Sequence, residues 1–177
     1  RNATTNQLLM LFRQFPGLEL PDLIFRNQGD LTFAEVAQAW GFDTLGISQG
    51  LALADLDNDG DLDLLVNNLS TMADLYRNDT AAPRVAVRLK GKAPNTQGIG
   101  AKIRVLGGPV PQSQEMVAAG RFLSSDDAMR VFAAGSPTNR LTLEVTWRNG
   151  RRTVLTEPRP NHLYEIHEAE ATLPPAS

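Results

Sequence analysis

The sequence predicts an all-β chain with a minor helical contribution, and three observations carry that expectation. From Pro83 onward apolar and polar residues alternate with a period of two: Val85, Val87 and Leu89; Ala101, Ile103 and Val105; Leu141, Leu143, Val145 and Trp147. Asn149-Gly150 then stands between Trp147 and a further apolar run at Val154, a strong hairpin signal. Earlier in the chain, Gly50-Leu-Ala-Leu-Ala54 and Leu62-Asp-Leu-Leu-Val66 are short apolar runs bounded by turn residues, the pattern of buried strands. Half-buried antiparallel strands at this spacing make a β-sandwich or a small barrel.

Taken in order, the first apolar run, Leu8-Leu-Met-Leu-Phe12, suits a short helix or a buried strand, and Pro16-Gly17 breaks the chain after it. Leu23-Ile-Phe25 reads as a strand and Asn27-Gln-Gly-Asp30 as a tight turn. Thr32-Phe-Ala-Glu35 matches a capping box, and Phe33, Val36, Ala37 and Trp40 follow helical spacing up to Gly41. The competing reading is a strand through Thr32–Val36 with a helical turn after it. Ala81-Ala-Pro83 is the best boundary, which gives one region over 1–81, a second over 82–170 and a flexible tail over 171–177. Val154 and Tyr164–Ile166 mark two more strands of the second region, and Trp40 and Trp147 are expected as core anchors.

At 177 residues the chain is long enough to bury a real core. It has no cysteine, which excludes disulfides, thiolate metal sites and cysteine nucleophiles. No apolar run approaches the roughly 18 residues that span a bilayer. The chain starts at Arg1 with neither an initiator Met nor a signal-peptide pattern, as a processed product or a fragment would. The net charge of −3 conceals an asymmetry: residues 1–81 hold 4 Lys+Arg against 12 Asp+Glu, a balance of −8, and residues 82–177 hold 13 against 8, a balance of +5. The basic residues alternate along strands without interleaved exposed aromatics, so nucleic acid is not the expected partner. Their charges solvate strand faces or face the acidic half.

The most informative segment is Asp55-Leu-Asp-Asn-Asp-Gly-Asp-Leu-Asp63. Asp55, Asp57, Asp59, Asp61 and Asp63 fall at alternate positions, with Gly60 where the loop must turn. Such crowding is costly unless a cation neutralises it. Hard oxygen ligands at this spacing suit Ca2+, which takes about six to eight oxygens in a flexible shell. The loop is not an EF-hand: its first half matches, but position 12 is Val66, and a carboxylate stands at position 9 as Asp63. Side-chain oxygens are expected from Asp55, Asp57, Asp59 and Asp63 and a backbone carbonyl from Asp61, while Leu56 and Asn58 point away.

At this point the chain resembles a known pairing. Ile24-Phe-Arg-Asn-Gln-Gly-Asp-Leu-Thr-Phe33 through Asp55–Asp63 is similar to an FG-GAP/VCBS-type repeat. The resemblance implies a blade of an integrin-like β-propeller, with a DxDxDGxxD loop that binds Ca2+; the family often has Gly where Leu31 stands. The region beyond it resembles the ASPIC/UnbV domain, which follows such repeats in bacterial exported proteins and in cartilage acidic protein. Leu75-Tyr-Arg-Asn-Asp79, Gly98-Ile-Gly-Ala101, Gly120-Arg-Phe-Leu-Ser-Ser125, Val145-Thr-Trp-Arg-Asn-Gly150 and Asn161-His-Leu-Tyr164 carry that likeness. The expected architecture is therefore a partial β-propeller-like repeat with a calcium loop, followed by an antiparallel β-sandwich. Propellers need about 4–8 blades, and one repeat cannot bury its own face. The first region is thus expected to dock on a protein partner or on missing blades of a longer parent.

Other constellations favour ordinary roles. Gly98-Ile-Gly100 lacks the remaining features of a phosphate loop and reads as a tight turn. His162 and His167, the chain's two histidines, stand five apart and face opposite sides of a strand. Ser124-Ser-Asp-Asp127 is polar enough for a second ligand loop, although a solvated turn suits it better. Asn2-Ala-Thr4, Asn68-Leu-Ser70 and Asn78-Asp-Thr80 match the glycosylation sequon. The expected function is a calcium-stabilised, exported interaction or adhesion module without catalytic residues, in the periplasm, on the cell surface or outside the cell. One alternative is an accessory or biosynthetic enzyme domain with a site around Arg121 and Ser124–Asp127. Another is a carbohydrate-binding module, which requires Trp or Tyr rings exposed side by side.

Overall fold

The computed structural model of the chain describes residues 4–69 and 71–173. Two units are present, one built from the stretch up to Gln49 together with Asn67–Ala73, the other from Gly50–Val66 and everything from Asp74 onward. The strands that flank the aspartate loop thus group mainly with the second unit.

The smaller unit holds, in order, α1 (Thr5–Phe12), β1 (Leu20–Pro21), β2 (Phe25–Asn27), β3 (Phe33–Glu35), a 3-10 turn over Gln38–Trp40 and β4 (Leu45–Gly46). The run at Leu8–Phe12 resolves as helix because Thr4 caps it: the Thr4 hydroxyl accepts from the Gln7 amide at 3.4 Å while Gln7 Oε1 accepts from the Thr4 amide at 2.8 Å. β1 pairs antiparallel with β4, and β2 with β3, Arg26 opposite Ala34. The turn of the second hairpin is built from Asn27 Oδ1, which accepts from the Gly29 amide at 2.8 Å, and Asp30 Oδ1, which accepts from the Thr32 amide at 3.0 Å. Thr32–Glu35 does not open a helix. The strand-then-turn alternative holds: Glu35 Oε1 accepts from the Ala37 amide at 2.6 Å just ahead of the 3-10 turn, and the Gly41 amide closes the turn on the Gln38 carbonyl.

Burial in this unit is sparse. Ala37 and Phe42 are its buried apolar residues among those described, while Leu8, Leu9, Met10, Leu11, Phe15 and Phe33 are all exposed. Trp40, expected in a core, is 55% exposed, because the 3-10 turn that carries it has no apolar layer over it within this unit.

The larger unit holds most of β5 (Ser48–Ala54) and β6 (Asp63–Asn68) and all of β7 (Asp74–Tyr76), which make one three-stranded sheet. After Pro83 come β8 (Arg84–Lys90), β9 (Lys102–Leu106), β10 (Gln112–Glu115), β11 (Met129–Ala133), β12 (Thr142–Thr146), β13 (Arg152–Thr156) and β14 (His162–His167). They form a four-stranded sheet, β10-β9-β12-β13, and a three-stranded sheet, β11-β8-β14. The alternating residues meet between these sheets: Val85, Val87 and Leu89 from one, Ile103, Val105, Leu143 and Val145 from the other, joined by Phe132 and Ile166. Each such side chain buried stabilises by roughly 1.5–3 kcal/mol. Trp147 is 2% exposed in this core and its Nε1 donates to Thr153 Oγ1 at 2.9 Å, so its one polar atom is satisfied.

In the two sheets after Pro83 the pairing is antiparallel except for β14 on β8, which is parallel with Tyr164 opposite Val87. Strands so far apart in sequence need no reversal, since the chain crosses between sheets before reaching β14. The predicted hairpin joins β12 to β13: Gly150 takes φ of +81°, its amide donates to the Trp147 carbonyl, and Trp147 donates to the Arg151 carbonyl. Gly98-Ile-Gly100 is the expected tight turn, closed by the Ala101 amide on the Gly98 carbonyl at 3.0 Å. Order extends past the expected start of the tail, because Ala171 is buried and Thr172 exchanges two 2.8 Å backbone bonds with Arg152. Residues 174–177, and the sequons that include Asn2 or Ser70, lie outside the described residues.

Leu31 adopts φ of +70° in the β2–β3 turn while 97% exposed. A left-handed residue with a Cβ costs about 1–2 kcal/mol; glycine removes that cost, but its freer unfolded chain offsets part of the gain. Leu31→Gly is therefore expected to raise stability by about 0.5–1 kcal/mol in urea denaturation, whereas Leu31→Val should lower it.

Candidate metal centre

The aspartate loop joins β5 to β6, so its first and last carboxylates hang from strands of one sheet. Gly60 lies at φ of +90° with open space where a Cβ would stand, so backbone conformation and not crowding demands glycine there. Asn58, at φ of +62°, tolerates the same region through its short polar side chain.

Backbone amides fix the carboxylates. Asp55 accepts from the Asp59 and Gly60 amides at 3.1 Å each, and Asp63 accepts from the Leu56 and Asn78 amides at 2.9 Å each. Asp57 Oδ1 accepts from the Asp59 amide at 3.3 Å and Asp59 Oδ1 from the Asp61 amide at 3.0 Å. Asn78, in the sequon Asn78-Asp-Thr80, serves as a brace: its Nδ2 donates to the Leu62 carbonyl at 3.4 Å and its Oδ1 accepts from Thr80.

Three of the five aspartates converge. One carboxylate oxygen from each of Asp55, Asp57 and Asp63 lies within 4.8 Å of the other two. Calcium–oxygen distances are about 2.3–2.6 Å, so oxygens this close can share one ion's shell. The trio can therefore hold a metal ion, and its all-oxygen donor set fits a hard one. Leu56 and Asn58 are both exposed and outside the trio.

Asp59 and Asp61 turn instead toward Arg84, the first residue of β8. Arg84 Nη2 stands 3.3 Å from Asp59 Oδ2, 3.2 Å from Asp61 Oδ2 and 3.0 Å from the Asp59 carbonyl. Asp61 is only 3% exposed, and neither of its oxygens makes an aligned hydrogen bond despite that ion pair. Burial pushes its carboxyl up to about 6, with Arg84 pulling it down and Asp59, Asp63 and Asp57 adding to the rise. From the sequence, Asp61 is expected to offer a backbone carbonyl and Asp59 a side-chain oxygen, and nothing in the spacing pairs either carboxylate with Arg84. That partner is brought in by the sandwich.

The second polar cluster is a clasp. Ser124 Oγ donates to the Leu51 carbonyl at 2.6 Å, Asp126 Oδ1 accepts from the Leu53 amide at 3.0 Å, and the Asp127 amide donates to the Leu53 carbonyl at 2.8 Å. Arg121 bonds Asp126 and Arg88 bonds Asp127. The polar groups proposed for an enzyme site thus hold β5 in place. The histidines are apart as expected: His162 Nδ1 meets the Pro160 carbonyl at 2.8 Å, and His167 Nε2 lies 3.2 Å from Glu165. Trp147 is buried and Tyr164 packs against the core, so these two rings do not stand exposed side by side for a sugar.

Burial pushes the Asp126 carboxyl up, but hydrogen bonds from Arg121 and the Leu53 amide outweigh it and hold the group below its usual 3.8. A carboxyl lowered in the folded state stabilises above the unfolded value and loses that contribution as pH falls below it. Stability should therefore drop as pH falls below 3.8, and Asp126→Asn should flatten that acid limb in denaturation curves followed by Trp fluorescence.

Residues 20–66 match the family model of the FG-GAP-like repeat, and residues 91–173 match that of ASPIC and UnbV. No curated protein matches the chain. FG-GAP repeats are typical of extracellular or exported proteins, and among the described residues no helix is long and apolar enough to cross a membrane. The order expected from the sequence is thus the order found: this chain carries an FG-GAP-like repeat followed by an ASPIC and UnbV domain.

Proposed function

We propose that the protein is a calcium-stabilised, exported interaction module that works without catalysis. The observation that carries this reading is the convergence of Asp55, Asp57 and Asp63 on one point, each held by backbone amides. In this reading Ca2+ is taken by that trio, with the Asp61 main chain and water as further oxygen donors, while the Asp59 side chain faces Arg84. The cation offsets the repulsion among the carboxylates and fixes the connection between β5 and β6. The domain scheme that goes with it has the FG-GAP-like part supply the docking surface and the ASPIC and UnbV part supply the rigid body. The ordered clasp at Ser124–Asp127 argues for structure over chemistry there.

Isothermal calorimetry should give one Ca2+ per chain, and Asp57→Ala or Asp63→Ala should abolish it. At a calcium concentration 1,000-fold above Kd, the stability gain should reach about 4 kcal/mol and raise the melting temperature. An intact protein that takes up no Ca2+ at millimolar metal would overturn this reading.

The smaller unit supports the interaction half of the proposal. Its exposed Leu8, Leu9, Met10, Phe15, Phe25 and Phe33 form the kind of apolar surface that soluble proteins cover with a partner or with further blades. The covered interface should exceed about 1,000 Å2 and resist moderate salt. Sedimentation at several concentrations, with dye binding alongside, tests it. Self-association or strong dye binding by the isolated chain is expected, and a monomer that binds no dye would refute it.

A further inference from the structure

We infer that Arg84 is the positioning residue of the aspartate loop, and that the Asp61 carboxylate is a strut to it and not a metal ligand. The inference builds on the calcium reading above but is carried by other groups. The Arg84 guanidinium reaches the loop at three oxygens, Asp59 Oδ2, Asp61 Oδ2 and the Asp59 carbonyl, and its Nη1 donates to the Thr80 carbonyl on the far side. Its side chain is 14% exposed and that of Asp61 4%, so the pair is desolvated, unlike most surface ion pairs.

The same residue is anchored through its backbone. Arg84 heads β8, the central strand of the three-stranded sheet, between β11 and β14. Its amide donates to Asn161 Oδ1 at 3.1 Å, and its carbonyl accepts from the Asn161 amide at 2.6 Å. One residue thus ties the most strongly charged segment of the chain to the centre of the sandwich. Through Asp61 and Asp59 it pulls the second half of the loop toward β8. That leaves Asp55, Asp57 and Asp63 facing each other, while Gly60 makes the bend between the two aspartates that meet Arg84. Five carboxylates are divided: two turned to a fixed internal cation, three left for a diffusible one. A guanidinium suits the task because its planar fork donates to several oxygens at once, which an ammonium does not match.

The arrangement differs in its consequences from simple charge balance. If Arg84 served only as a counter-charge, its removal would leave the loop more negative and Ca2+ would bind more tightly. If it positions the loop, its removal lets the trio disperse and Ca2+ binds less tightly, in the range of about 10–100-fold that supporting residues of metal sites command.

The test uses the whole chain, with Arg84→Met, Asp61→Asn and Arg84→Lys. Amide exchange by NMR in chelator reads the loop without metal. In Arg84→Met the amides of Leu56, Asp59, Gly60 and Asp61 should exchange severalfold faster than in the parent, while those of β9 and β12 keep their protection. Asp61→Asn, which keeps the shape of the strut and removes its charge, should do the same should Arg84→Met fail to fold, and Arg84→Lys should recover part of the protection. Calorimetry should then show weaker Ca2+ binding in Arg84→Met and Asp61→Asn. Unchanged loop exchange in both variants, or tighter Ca2+ binding in both, would overturn the role given to Arg84. A parent protein that binds no Ca2+ but whose loop exchange still depends on Arg84 would overturn the calcium reading alone and uphold this one.

Discussion

Like charges held within a few ångströms of one another repel, and burying them makes the repulsion stronger because less solvent screens it. The larger unit places five carboxylates in nine residues and buries Asp61 and Asp63 among them. Folding this loop therefore requires positive charge and oriented donors at the same moment as the sheets form. The donors come first from the loop's own backbone, whose amides at Leu56, Asp59, Gly60 and Asp61 all point at carboxylate oxygens. The positive charge comes from Arg84 at the head of β8. Removing one partner from such a buried pair typically costs about 3–5 kcal/mol, because the remaining charge is left uncompensated. Loop and sandwich are for that reason parts of one cooperative unit, although they fall in different stretches of sequence.

The smaller unit shows the opposite balance. In the sandwich, inward positions such as Val85, Ile103 and Leu143 are fully shielded from water. In the smaller unit the apolar residues of α1, β2 and β3 remain largely wet. An isolated eight-residue helix and two-stranded sheets are each marginal in water, since they fix backbone without removing much apolar surface. Local devices hold them: the Thr4–Gln7 capping box, the Asn27 and Asp30 turn bonds and the Glu35 bond to Ala37. Those devices define shape, but they do not substitute for a core.

What could be read from the sequence follows from how much of each strand's environment is local. β8, β9 and β12 are legible because each buries one face fully and, Ala86 of β8 apart, leaves the other partly or wholly open, so composition repeats every second residue. β10 and β11 escaped notice for different reasons. Gln112 and Gln114 of β10 reach the backbone of Ala133 and Val131 in β11, so a polar sequence closes an edge of the sandwich. Arg130 is buried beside Met129 and donates to the Glu115, Asp127 and Met129 carbonyls, which disrupts the alternation that would have marked β11. The loop itself was plain, yet its division was not: the spacing sets only Asp61 apart, and the guanidinium that also draws Asp59 away arrives from a strand with no sequence cue toward the loop. Trp40 was misplaced because a large aromatic suggests a core only where a second layer exists.

The two acidic clusters of this unit show why residue type alone does not mark a site. Asp126 and Asp127 are satisfied: a strand amide and two arginines occupy their oxygens, and the result is a clamp on β5 at Leu51 and Leu53. Asp61 is the same residue type and more deeply buried, but neither of its oxygens has an aligned hydrogen bond. Buried polar groups are nearly always paired, so a group left short marks a place where the fold has spent stability for some other end. The clamp and the loop are also consecutive along the chain. β5 is gripped at Leu53, ends at Ala54, and Asp55 follows. The first carboxylate of the converging trio therefore leaves a strand that cannot shift, while the last, Asp63, begins the neighbouring strand of the same sheet. A loop fixed at both ends loses little further freedom when its carboxylates are drawn together, which is the condition under which weak individual oxygen donors can act as one site.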